Sequence, residues 1–223
     1  MTDALVIARR HIDKVFAFQN QHLVLLALDW AKAFDSIIPE PMLIALQLFG
    51  LPEQFIHMTR AIYTSREFYA RANAMDSSKK VQHAGISQGC PLSPILFVIM
   101  MTALIIDTRT NLARSIGNEI SNVSEILFAD DNWIVNENCD MAEQYMYCIR
   151  AAGSKYGLDF NWDKLEYISF NCNPNICKPD GTSIKHVQSM TYIGGLLAND
   201  GRVASELGRS CLLYTSPSPR DRG

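Results

Sequence analysis

The string Phe128-Ala129-Asp130-Asp131 sits between two apolar stretches, Ile126 to Phe128 and Trp133 to Val135. Apolar runs separated by a pair of turn-prone acids read as a β-hairpin that presents adjacent carboxylates at its tip. A second apolar run, Leu23 to Leu28, ends in another carboxylate, Asp29. Carboxylates at the ends of neighbouring strands supply the hard oxygen ligands that magnesium prefers, and three of them can hold two ions about 3.5–4 Å apart. Alone, each feature is ordinary, since Asp-Asp is a common turn pair and an acid often caps a strand. The surrounding segments decide between the two readings.

Five segments carry that decision: Leu28-Asp29-Trp30-Ala31-Lys32-Ala33-Phe34-Asp35-Ser36-Ile37, Gly85-Ile86-Ser87-Gln88-Gly89-Cys90-Pro91-Leu92-Ser93-Pro94, Phe128 to Asp131, Gly157 to Glu166, and Tyr192-Ile193-Gly194-Gly195. In this order they resemble the five palm motifs of reverse transcriptases from non-LTR (LINE-type) retrotransposons, the first of which has the form D-x-x-K-A-F-D-x-I. The resemblance runs from about Thr2 to Arg209. It implies an RNA-directed DNA polymerase that transfers a nucleotidyl group from a dNTP to a primer 3′-hydroxyl. The partners it implies are an RNA template, a DNA primer and dNTP, with no membrane. Two Mg²⁺ ions, or Mn²⁺ in their place, would be held by Asp29, Asp130 and Asp131. Such a protein is expected inside the cell, in nucleus or cytoplasm, and not secreted; Met1-Thr2-Asp3 opens no signal peptide.

The same resemblance assigns roles to single residues. Phe34 falls at the aromatic that excludes a 2′-hydroxyl from the incoming nucleotide. Lys32 and Asp35 read as structural support, a local ion pair or a helix cap. Gln88 and Gly89 fall where a turn lies against the templating base and the nucleotide, a close approach suited to a residue without Cβ. Ser87 stands where an arginine is often found. Lys164 falls at the lysine that neutralises departing pyrophosphate, although Leu165 departs from the small polar residue usual beside it. Tyr192 and Gly194 lie in the hairpin that grips the primer.

The fold class expected is α+β, a split β-α-β, ferredoxin-like palm with partial fingers and no thumb. Fingers parts are expected at about 1–22 and 58–92, and palm at about 23–57 and 93–209. Along the chain, helices are predicted over residues 3–18, from Pro41 to Phe49, from Glu53 to Tyr63, over Ile95 to Ile106, and from Met141 to Tyr156. A hairpin around Asp76-Ser77-Ser78 is predicted within 66–84. The run Ile95 to Ile106 is short of the roughly 20 residues that span a bilayer and reads as a buried helix. Cys211 to Asp221 resembles the conceptual translation of a transposase-type sequencing adapter, so 211–223 is set aside as an artefactual tail.

With 223 residues, 48% of them hydrophobic, the chain can bury one core. Its net charge is −3, from 20 basic and 23 acidic residues; without Arg220, Asp221 and Arg222 the balance is 18 against 22, or −4. That is no basic footprint for nucleic acid, and by itself the chain is expected to hold primer and template weakly and to lack processive synthesis. Six cysteines, one of them in the tail, make neither a disulfide framework nor a zinc site. Two other readings stay open. One is a group II intron or retron reverse transcriptase, against which Lys32-Ala33-Phe34-Asp35 argues. The other is a catalytically inactive retroelement remnant that at most binds nucleic acid. A viral RNA-dependent RNA polymerase fits less well, because Ala129 precedes the aspartates where such enzymes carry glycine.

Overall fold

A computed structural model describes residues 2–200, apart from 19, 74, 117–122, 129–130 and 193–194. Asp130, Gly194 and the tail therefore lie outside the described residues, as do the side chains of Phe128 and Tyr192. The centre is a five-stranded sheet. Strand β1 (Leu23–Leu28) pairs on one side with β7 (Asp131–Asn136), which pairs with β6 (Val123–Phe128). On its other side β1 pairs with β8 (Glu166–Phe170), which carries the two-residue strand β9 (Lys185–His186) at the edge. The order β6-β7-β1-β8, antiparallel throughout, is the split β-α-β arrangement expected from the sequence.

Burial explains the composition of β1. Five of its six residues, Leu23, Val24, Leu25, Leu26 and Leu28, are at most 3% exposed, because both faces of the sheet are covered and the strand reads as a continuous apolar run. One face carries Val24, Leu26, Leu28, Ile134 and Tyr167 under helices α3 (Pro39–Leu48), α5 (Ser93–Ile116) and α6 (Cys139–Lys155). The opposite face carries Leu23, Leu25, Trp133, Val135, Ile168 and Phe170. It is covered by α1 (Thr2–Ala17), through Ala8, Ile12 and Val15, and by the hairpin β10 (Ser189–Tyr192) and β11 (Gly195–Ala198), through Met190 and Leu197.

Helices α1, α4 (Glu53–Tyr63) and α6 match the sequence pattern, α6 beginning at an Asn138 cap whose side chain accepts from the Asp140 and Met141 backbone N–H groups. Two helices differ from it. Helix α3 starts at Pro39 rather than Pro41, since proline is tolerated in a first turn where its N–H would be unbonded in any case. Helix α5 spans 24 residues rather than the apolar dozen from Ile95. By length and composition alone it could cross a membrane, and half of it is buried here. Thr102, Thr108 and Thr110 do not end it, because each hydroxyl donates to the carbonyl four residues back.

The segment 66–84 is indeed a hairpin, built as two ladders. The outer pairs β2 (Arg66–Phe68) with β5 (Lys80–Gln82), and the inner pairs β3 (Arg71–Ala72) with β4 (Met75–Asp76). Its tip falls after Ala72, not at Asp76-Ser77-Ser78, because Arg71 and Asp76 face each other and are joined by a salt bridge at 2.5 Å.

The turn that follows α6 is held by Gly157, at φ +86, where an added Cβ would stand 2.3 Å from the Ser36 carbonyl oxygen. Gly181 has a similar φ of +82 and open space around it. Both Gly157→Ala and Gly181→Ala should lose about 1 kcal/mol to the left-handed backbone. Only Gly157→Ala should lose a further 1–3 kcal/mol, roughly, to the clash. Urea unfolding of the two variants measures the difference, and equal losses would refute the crowding.

Candidate active site

The register of the central strands sets the site. Leu28 faces Asn132 across the β1–β7 ladder, so the next pair in the same register is Asp29 opposite Asp131. Side chains alternate along a strand, which places both aspartates on the face of Ala27 and Trp133. Cover by α1 and the β10–β11 hairpin gives out there, leaving a cleft of about 400 Å³ lined by Ala27, Asp29, Asp131, Lys164, Glu166 and Met190, among others. Asp131 is exposed and Asp29 half-buried.

The β1–β8 side is built differently. Ala27 faces Glu166 in the ladder, yet Trp30 bridges to Phe160, so residues 28 and 29 of one strand stand opposite 161–165 of the other. The three extra residues loop out as a turn, closed by the Lys164 N–H donating to the Asn161 carbonyl at 2.9 Å. That turn brings Lys164 Nζ to 3.5 Å from Asp29 Oδ2, with side-chain exposures of 65% and 37%. The Asp29 backbone carbonyl is not free: it accepts from the Asn161 N–H at 2.8 Å.

Aromatic packing fixes this stretch. The Trp30 and Phe160 rings lie 4.6 Å apart, Trp162 meets Phe160 edge-on at 5.5 Å, and the Arg150 guanidinium sits over Trp162. Arg150 also donates to Asp159 Oδ1 at 2.9 Å, and that bond holds the Asp159 carboxyl below its ordinary pKa.

The second motif is tied to the first by backbone bonds. The Gly85 N–H donates to the Ile37 carbonyl and the Ile86 N–H to the Phe34 carbonyl, each at 2.7 Å. Lys32 and Asp35 form no ion pair. Lys32 adopts a left-handed conformation at the start of the short helix α2 (Ala33–Ser36) without a side-chain cap bond, and Asp35 instead accepts from the Gln88 amide at 3.3 Å. Close approach occurs at Gly85, where a Cβ would lie 2.9 Å from the Asp35 carbonyl oxygen. At Gly89 a Cβ would meet nothing within 4 Å, and the demand is the positive φ of 83°. Beside it the Cys90 thiol is held below its usual pKa, first by the Leu92 backbone N–H. Phe34 is half-buried and stacks on Phe97 with centroids 4.6 Å apart.

Asp29, Asp131 and Lys164 are thus brought together, while Phe34, Gln88 and Gly89 sit on the adjoining bonded segment. The β10 strand that ends at Tyr192 lines the cleft through Met190 and Thr191. Among the described residues no cluster of three metal-ligating side chains forms; Asp130 is not among them. Sequence reasoning missed Glu166 and Lys185, which also line the cleft and pair at 3.1 Å. Glu166 opens an apolar strand as Asp29 closes one, a legible signal; Lys185, on a two-residue strand, gave none.

Comparison with known proteins bears on the fold and the family. The fold resembles apo telomerase from Candida tropicalis truncated from its C-terminal domain, with a TM-score of 0.64 over 89% of this chain and 39% of that one. At 13% identity the likeness is one of fold. The retrovirus-related Pol polyprotein from the type-2 retrotransposable element R2DM of Drosophila melanogaster is 30% identical over 185 residues, covering 82% of this chain and 16% of that protein. The RNA-directed DNA polymerase from mobile element jockey of Drosophila funebris is 22% identical over 174 residues, covering 76% and 19%. The chain therefore spans less than a fifth of the length of either relative. A family model described as reverse transcriptase (RNA-dependent DNA polymerase) matches residues 5–196, and the chain belongs to that family, among the non-LTR retrotransposon proteins.

Proposed function

We propose that this chain is the palm-bearing part of an RNA-directed DNA polymerase from a LINE-type retroelement, transferring a nucleotidyl group from a dNTP to a primer 3′-hydroxyl on an RNA template. The observation that carries the reading is that Asp29 and Asp131, next to the last β1–β7 pair, line one open cleft, with Lys164 Nζ 3.5 Å from Asp29.

The donor set fits a hard divalent cation, because the cleft offers carboxylate oxygens and neither thiol nor imidazole. Asp29 and Asp131, with Asp130, would hold Mg²⁺ or Mn²⁺. When bound, two such ions lower the pKa of the attacking hydroxyl and offset the charge of the leaving pyrophosphate. The chain's own residues do the rest. Lys164, carried on its turn, supplies a cation on the pyrophosphate side. Phe34, braced by Phe97, presents a rigid ring that leaves no room for a 2′-hydroxyl. Gln88, held by Asp35, shapes the nucleotide's seat with Gly89, and gripping of the primer falls to Tyr192 and Gly194, as the family resemblance assigns it. The central sheet with α5 and α6 then forms the palm, and the 66–82 hairpin part of the fingers. RNA template, DNA primer and dNTP place the activity inside the cell, in nucleus or cytoplasm.

The test is Mg²⁺-dependent addition of a single dNTP to a primer on RNA, at low salt and with the chain in excess. Asp29→Asn and Asp131→Asn should each lower the addition rate by about 100-fold or more, the scale expected when a principal charge-stabilising group is removed. Unfolding free energy should move by less than about 1 kcal/mol, since an exposed ion pair contributes little. Near-normal addition by either variant would refute the assignment. Phe34→Val, which shortens the ring, should raise ribonucleotide incorporation relative to deoxyribonucleotide incorporation by about tenfold or more, within the range that one pocket contact discriminates. Unchanged discrimination would make Phe34 a core residue only.

A further inference from the structure

The Arg66 guanidinium, on β2 of the hairpin, reaches across to the turn that carries Gln88 and Gly89. Its Nη1 donates to Ser87 Oγ at 2.5 Å and its Nη2 to the Gly85 carbonyl at 2.7 Å. The Arg66 carbon Cζ stands 4.8 Å above the Tyr63 ring. From the other side, Ser93 Oγ donates to the Ser87 carbonyl at 2.7 Å, and the Tyr63 hydroxyl lies 3.1 Å from the same Ser93 Oγ. Residues 85–87 are thus clamped between a planar two-pronged donor and a buried hydroxyl pair. A guanidinium suits this task because its fork fixes two acceptors at once. Arg71, Arg109 and Arg150 each pair with a carboxylate. Arg66 does not: among the described residues its two bonds go to neutral oxygens, and its Nε is buried without an acceptor. A half-buried charge committed to neutral acceptors is costly for the fold alone, so its placement points to the turn it holds.

We propose that Arg66 is a positioning residue for nucleotide binding, holding Gly85 to Ser87 so that Gln88 and Gly89 keep the shape that the incoming dNTP meets. The inference rests on the polymerase reading and extends it to a residue outside the five motifs. A positioning role of this kind acts on substrate binding more than on the chemical step.

The experiment is single-dNTP addition by the full chain and its variants. Arg66→Ala should raise the dNTP KM by about tenfold, equivalent to roughly 1.4 kcal/mol, with kcat within about threefold. Ser87→Ala, which removes one acceptor and keeps the guanidinium, should raise KM less. The double variant should be no worse than Arg66→Ala, because both changes release the same turn. An unchanged KM, a fall confined to kcat, or additive effects would overturn the role. If the unsubstituted chain adds no nucleotide, the polymerase reading fails, and Arg66 is judged by amide hydrogen exchange. Arg66→Ala should then speed exchange at Gly85 and Ile86 while β1 stays protected, and unchanged exchange there would overturn the proposal.

Discussion

The position at which β1 ends governs the whole molecule. Strand β1 pairs on one edge with the strand that opens at Asp131 and on the other with the strand that follows the Lys164 turn, and its two ladders behave differently at the same point. Against β7 the ladder ends with Leu28 opposite Asn132, so Asp29 and Asp131 stand next to that last pair and line one cleft. Against β8 it slips by three residues, and the slack becomes the turn that lifts Lys164 over Asp29. Two charges of opposite sign meet beside a third because one apolar strand is paired on both edges and buried on both faces.

The segments that flank β1 are held to it by backbone more than by side chains. Ala31 and Asp29 bond to 159 and 161, and Phe34 and Ile37 bond to 86 and 85. Side chains then lock what the backbone sets: Trp30 wedges between Phe160 and Gly153, where an added Cβ would stand 2.8 Å from the indole ring. Three stretches distant in sequence thereby meet at one strand end. Interior packing of this density transmits small displacements rather than absorbing them.

Much of this was legible beforehand wherever the pattern was local. The strand Leu23–Leu28, the hairpin strands around residues 129–130, and helices α1, α4 and α6 all follow from apolar periodicity, caps and turn residues. The length of α5 was not, because its apolar run stops at Ile106 while the helix continues through polar residues, among them Thr108 and Thr110, whose hydroxyls bond back to their own helix. Nor was the hairpin tip, which the Arg71–Asp76 pair sets from across the ladder. At the site, Asp29, Asp131 and Lys164 were identified and do come together. The pairing of Asp35 with Gln88, the occupied Asp29 carbonyl and the reach of Arg66 to Ser87 were hidden, since each depends on which distant strand lies alongside. The positive φ at Gly89 was hidden too: a sequence shows that a glycine is present, but not which backbone conformation it adopts.

The slip between β1 and β8 also separates two quantities that are usually joined. In an unbroken ladder, lengthening the chain by one residue would turn every later side chain to the opposite face. Here 161–165 is slack, bounded by the Ala27–Glu166 pair on one side and the Trp30–Phe160 bridge on the other. Asn161, Trp162 and Leu165 are held by a backbone bond, ring packing and burial, so the part that projects from the ladder is the tip at Asp163 and Lys164. The height of the Lys164 cation above the Asp29 carboxylate is thereby set by a short projecting tip, whose variation leaves the register of the sheet on either side unchanged.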